Sequence, residues 1–221
     1  MRFSRRALAQ AALVSISLVG VAACQPGAVP PVASIISPPG GGDASPTTGP
    51  TTDVVVARSV DALAALDTGD RVALRNALAP LALEVGARAG VDGAALDRAW
   101  TATESNRLRA VLSALAQVGV SYRYASSSPG GAFDCSGLVS WAWAQAGVSL
   151  PHQSKSIRNV MTQKGLENVA PGDVFWYPGH VALALGVEGA MVHAPGRGEH
   201  VEVDLYSADR IGGSIVLGSP I

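Results

Sequence analysis

Three side chains of this sequence could together carry out nucleophilic acyl transfer: Cys135, His180 and His193. A thiol attacks a carbonyl only after giving up its proton, and that proton must then reach the leaving amine. The work needs a base beside the sulfur and a third polar group that fixes the base in one tautomer and orientation. Cys135 follows Asp134, a good N-cap residue, and Leu138, Trp141, Ala142 and Ala146 recur after it at helical spacing, with Gly147 as a stop. The thiol is therefore expected in the first turn of a helix, where unpaired N–H groups and the helix dipole favour a thiolate.

The two histidines flank a pair of short apolar runs, residues 181–185 and 190–193. A hairpin turn centred on Val187-Glu188 sets His180 across from Pro195 and His193 across from Ala182. The imidazoles are then diagonal neighbours on one face, within reach of a hydrogen bond. His180 suits the base and His193 its orienter. His152, after Leu150-Pro151, and His200, on an alternating His-Val-Glu-Val-Asp run, read as peripheral.

These residues have to be held by a scaffold. After the Cys135 helix the period changes from helical to extended: residues 173–177, 181–185, 190–193, 200–205 and 215–217 are β-type runs bounded by glycine-rich turns. Pro171-Gly172-Asp173 is a turn feeding the first of them. A helix followed by an antiparallel meander gives an α+β fold. Upstream, residues 53–103 form an Ala-rich helical region, with helical periodicity over 59–66, 70–89 and 93–102, and a further helix over 104–118. Pro80 starts or kinks one of these helices, and Trp100 reads as a core residue.

Residues 24–52 are almost uncharged and rich in Pro, Gly, Ser and Thr, a disordered tether that buries too little apolar surface to fold. Residues 1–23 read as a lipoprotein-type signal peptide: a basic start and an apolar run too short to span a membrane comfortably. Ser4-Arg5-Arg6-Ala7-Leu8 resembles a twin-arginine export signal, and Val21-Ala22-Ala23-Cys24 resembles the bacterial lipobox, which makes Cys24 the lipidation site. The expected location is outside the cytoplasm, at the outer face of the cytoplasmic membrane or in the cell envelope, held there by the N-terminal lipid. Of 16 basic residues, Arg2, Arg5 and Arg6 leave with the leader, so 13 face 17 acidic residues, a net charge of −4 that gives no support to nucleic-acid binding. With Cys24 lipidated, Cys135 is the one thiol left of two, so no internal disulfide can form, and reactivity accounts for its presence.

Six motifs occur in order: Tyr122-Arg123-Tyr124, Phe133-Asp134-Cys135-Ser136-Gly137-Leu138-Val139, Leu150-Pro151, Pro171-Gly172-Asp173, residues 179–186 (Gly-His-Val-Ala-Leu-Ala-Leu-Gly) and Val192-His193-Ala194-Pro195. In order and rough spacing they resemble the NlpC/P60 family of papain-like cysteine peptidases of the bacterial cell wall, over residues 104–221. The resemblance implies a papain-like catalytic domain with N-terminal helices packed on an antiparallel sheet. It implies Cys135 as nucleophile, His180 as base and His193 as third member, with the Tyr122 hydroxyl assisting the Cys135 backbone N–H in an oxyanion hole. It places Asp134 and Ser136 on the peptide site, beside their helix-capping reading. The implied substrate is the stem peptide of peptidoglycan, cut between γ-D-glutamate and the diamino acid by a monomer with no metal or organic cofactor. An amidase or acyltransferase on the same scaffold, or a non-catalytic wall-binding lipoprotein, are the alternative readings. One departure stands out: Ala125-Ser126 replaces the usual Gly-Gly, which bears on the loop leading to Cys135 and on substrate preference.

Overall fold

The computed structural model describes residues 53–187, 189–206 and 215–221. The leader, Cys24 and the tether lie outside the described residues. Four helices come first: α1 (Val54–Thr68), α2 (Arg71–Ala89), α3 (Gly93–Ala102) and α4 (Ser105–Leu115). Asp53, Asp70 and Asp92 each turn a carboxylate onto an N–H of the first turn, so the Asp punctuation of the sequence is what starts three of them. Gly69 and Gly90, at φ +70° and +73°, end α1 and α2 in the left-handed conformation that glycine adopts without strain. Helix α2 runs through Pro80 rather than beginning there.

These helices pack into the same core as the rest of the described chain. Leu63, Leu81, Leu96 and Trp100 share one continuous apolar core with Leu138 and Trp143 further along the chain and with Val181 and Leu183 of the sheet. The indole N–H of Trp100 donates to the Leu185 carbonyl at 2.8 Å, so a buried polar group of the helical region is satisfied by the sheet.

Next come two short paired strands, β1 (Ser127–Ser128) and β2 (Ala132–Phe133), then α5 (Cys135–Gln145) and α6 (Ser154–Val160). The main sheet follows: β3 (Thr162–Lys164), β4 (Val174–Tyr177), β5 (His180–Ala184), β6 (Ala190–His193), β7 (Glu202–Leu205) and β8 (Val216–Ser219), in the order β3-β8-β4-β5-β6-β7. All its pairings are antiparallel. Strands β4 to β7 are the expected meander, and β8 returns across the molecule to pair with β4. Helix α5 differs from the amphipathic helix expected of it. Its buried residues run from Cys135 through Ser140, then Ala142 and Trp143, leaving almost no wet face. The reason is that α4, β5, β1 and the Ser126 backbone all pack against it.

The Pro171-Gly172-Asp173 turn knots these layers together. Gly172 sits at φ +83° under the Trp143 ring, whose Nε1–H donates to the Gly172 carbonyl at 3.1 Å. Asp173 is fully buried and accepts from Arg107 of α4 at 2.9 Å, Lys164 of β3 at 2.7 Å and the Ala170 backbone N–H at 2.8 Å. Arg107 also donates to the Pro171 carbonyl at 3.1 Å and to the Ser219 hydroxyl of β8.

Candidate active site

Asp134 caps α5, its Oδ1 accepting from the Gly137 N–H at 2.7 Å, and this fixes Cys135 as the first helical residue, as the sequence predicts. The loop before it lies hard against the helix. A Cβ on Gly137 would sit 2.1 Å from the Ser126 carbonyl oxygen, so a glycine is required there, and Ser127 Oγ donates to the Gly137 carbonyl at 3.1 Å. Ala125, in this loop, has φ +54°, the left-handed region that a side chain disfavours. The position where the resemblance leads one to expect glycine thus keeps a glycine-like backbone with an alanine in it.

The histidines are placed by hairpins. Pro178-Gly179, with Gly179 at φ +86°, joins β4 to β5 so that Tyr177 pairs with His180. Strands β5 and β6 pair Leu183 with Val192 and Ala184 with Met191, the register expected from the sequence, which sets His180 and His193 diagonally on one face. His180 Nε2 and His193 Nδ1 are 3.0 Å apart, and the rings meet edge to face. The Tyr177 ring stacks on His180 at 4.8 Å. Cys135, His180 and His193 are all buried, at 8%, 9% and 5% exposure, so proton exchange among them is shielded from bulk water.

The sulfur lies against the same strand. Burial pushes the Cys135 thiol up, opposed by the Val181 backbone N–H, while the Asp134 charge adds to the rise and the Ser136 and Cys135 N–H groups oppose it. Val181 directly follows His180. The helix N-terminus therefore does not win: the expected resting thiolate is corrected to a neutral thiol, because desolvation outweighs the N–H groups. His180 moves in the matching direction, to about 3, first through burial and then through the His193 charge. Both groups rest neutral, a thiol on α5 and an imidazole on β5.

A pocket of about 250 Å³ opens on Cys135, walled by Tyr122, Ala125, Asp134, Ser136 and His152 among others. The Tyr122 hydroxyl is pushed up by burial and next by the Cys135 charge, which places it within electrostatic reach of the sulfur. Asp134 and Ser136 do line the pocket, but Asp134 Oδ1 and Ser136 Oγ are already engaged: Ser136 Oγ donates to Asp134 Oδ1 at 3.0 Å, alongside the cap. His152, read from the sequence as peripheral, instead lines the pocket, with its Nε2 3.0 Å from Asp134 Oδ1. Its place directly after Leu150-Pro151, a motif already singled out, was the available signal. Tyr177 was also missed, since an aromatic before Pro-Gly reads only as a strand end. His200 stays exposed, bridging to Ser121. A larger hollow of about 400 Å³ lies among α1, α2, α3 and α4, where Arg71 and Arg75 are the ionisable groups and Thr101, Thr103 and Ser105 supply hydroxyls.

A buried thiol on a helix N-terminus and a histidine pair on an adjoining antiparallel sheet define an α+β protein with the makings of a thiol acyl-transfer site. Residues 119–214 match the model of the NlpC/P60 family. It is 41% identical over 101 residues to a probable endopeptidase of Mycobacterium tuberculosis, covering 44% of this chain and 26% of the relative. It is 34% identical over 99 residues to dipeptidyl-peptidase 6 of Lysinibacillus sphaericus, covering 44% and 36%. It is 33% identical over 105 residues to the peptidoglycan endopeptidase RipA of Mycobacterium tuberculosis, covering 40% and 22%. The chain thus spans only a minor part of the length of each of these curated relatives.

Proposed function

We propose that this protein is a cysteine endopeptidase of peptidoglycan, cutting the stem peptide between γ-D-glutamate and the diamino acid. The observation that carries the reading is the 3.0 Å His180–His193 contact on the strand whose Val181 N–H faces the buried Cys135 thiol, inside the segment that matches the family. The neutral His180 takes the Cys135 proton as sulfur attacks the γ-carbonyl, and the oxyanion forms beside the Cys135 backbone N–H and the Tyr122 hydroxyl. Collapse breaks the C–N bond, His180 returns the proton to the amine, and a thioester remains. Water, deprotonated by His180, then releases the glutamyl carboxylate and restores the thiol. His193 orients His180 throughout. An amidase or acyltransferase would share every step but the identity of the acyl group or of the acceptor that ends the cycle.

The test is mass spectrometry of muropeptides digested by the full chain. New fragments ending at D-glutamate support the endopeptidase, loss of the whole stem from the glycan supports an amidase, and peptides bound but unchanged support a wall-binding protein. We also propose export and lipid anchoring through Cys24, resting on the leader and its lipobox. Full membrane retention of a Cys24→Ala form would contradict the anchor.

A further inference from the structure

His180 has two ring nitrogens, and Nε2 is committed to His193. Only Nδ1 can take the thiol proton, so in the working tautomer Nδ1 is bare and the Nε2–H donates to His193 Nδ1. His193 must then be bare at Nδ1 and carry its own proton on Nε2. A dyad of two neutral imidazoles has no intrinsic preference for this arrangement over the reverse, in which His193 donates and the base is disabled. Something beyond His193 has to choose.

Strand β7 supplies that choice. Glu202 pairs directly with His193 and Asp204 with Met191, so both carboxylates stand on the same sheet face as His193. His193 Nε2 lies 3.6 Å from Glu202 Oε1 and 3.8 Å from Asp204 Oδ2. At this range the interaction is electrostatic rather than a close hydrogen bond. Its sign is clear: two negative groups repel a nitrogen lone pair and attract an N–H. The His193 side chain is 6% exposed, while the Asp204 and Glu202 side chains are 25% and 51% exposed, so the charges sit between solvent and a nearly dry imidazole.

We propose that Glu202 and Asp204 are positioning residues that hold His193 in its Nε2–H tautomer and thereby leave His180 Nδ1 free to act as base. Resting on the peptidase reading above, the inference extends its site from three residues to a relay across three adjacent strands, β5, β6 and β7. The same carboxylates offset the charge on the dyad when His180 becomes an imidazolium. Neither is among the residues that line the Cys135 pocket. Their removal therefore slows the chemical step and leaves substrate binding alone.

The experiment is long-range nitrogen–proton NMR of the imidazole rings in the full chain, compared with a Glu202→Gln/Asp204→Asn form. The four histidines are assigned by replacing His152 and His200 in turn. In the unmodified chain both dyad rings are expected as Nε2–H, and in the double variant His193 gains an Nδ1–H population. On a muropeptide substrate kcat falls by about 10- to 100-fold, the size seen when an outer partner of a working histidine is lost, with KM within about twofold. Asp204→Glu, which keeps the charge, restores most of kcat. Should the double variant fail to fold, Asp204→Asn alone gives the same readouts. An unchanged His193 tautomer, or an unchanged kcat, in the neutralised form overturns the inference. The expected tautomers in an unmodified chain that cuts no muropeptide would sink the peptidase reading and leave this one standing.

Discussion

At the site, burial decides the protonation of the reacting pair. A helix N-terminus lowers a thiol pKa, but Cys135 is raised because desolvation of the thiolate dominates, and His180 is held at about 3. Both shifts disfavour an ion pair. Alkylation of Cys135 by iodoacetamide should therefore be slow at pH 6 and climb steadily above the ordinary thiol range, while His180, neutral down to about pH 3, keeps the acid limb of kcat/KM well below pH 6. Fast alkylation at pH 5 to 6 would show a resting thiolate and contradict this assignment. Ala125 offers a second test, because its φ of +54° imposes a strain that glycine lacks. Ala125→Gly should raise stability to urea by up to about 1 kcal/mol, and a loss of stability would mean that the side chain gives more by packing than it costs in strain. The type of each reacting residue was legible in the sequence. The balance between dipole and desolvation was not, since burial of Cys135 depends on elements that close around α5 from far along the chain.

The elements themselves were legible where pattern and turn chemistry agree. Asp caps start α1, α2 and α3 and Gly stops end α1 and α2, and centring the turn of the 181–193 hairpin between its bounding glycines sets the histidine register. Strand β3, with the sequence Thr-Gln-Lys, and helix α6 carry no apolar period to announce them. Their place is set by tertiary pairing with β8 and packing on α5. The Pro171-Gly172-Asp173 turn was recognised as a turn but not as a joint, because the partners of Asp173 come from α4 and β3. Removing that carboxylate leaves Arg107 and Lys164 without their shared counter-charge, Arg107 being only 13% exposed. Asp173→Ala should cost about 3 kcal/mol in thermal or urea unfolding, and a change within about 0.5 kcal/mol would show that the network is not a stabilising joint.

The whole molecule is more unified than its sequence reads. Composition divides the chain near Glu104, yet Trp100 is fully buried and bonded to Leu185, and residues of α1 to α3 complete the core under the sheet. A chain beginning at Glu104 should therefore melt well below one beginning at Asp53, or fail to fold. Equal melting temperatures would restore the helical region to the status of a separate appendage. That unity bears on the site, because the core positioning β5 and α5 is the one the early helices fill. The central claim is that Cys135, His180 and His193 act as one unit. Its most direct test is turnover of a stem-tripeptide muropeptide by full-chain Cys135→Ala, His180→Ala, His193→Ala, His193→Gln and the double His180→Ala/His193→Ala. Each of the first two should lose activity by a factor on the order of 10⁴ or more, His193→Gln should keep part of what His193→Ala loses, and the double should be little worse than His180→Ala alone. Full activity in His193→Ala, or losses that multiply in the double variant, would contradict it.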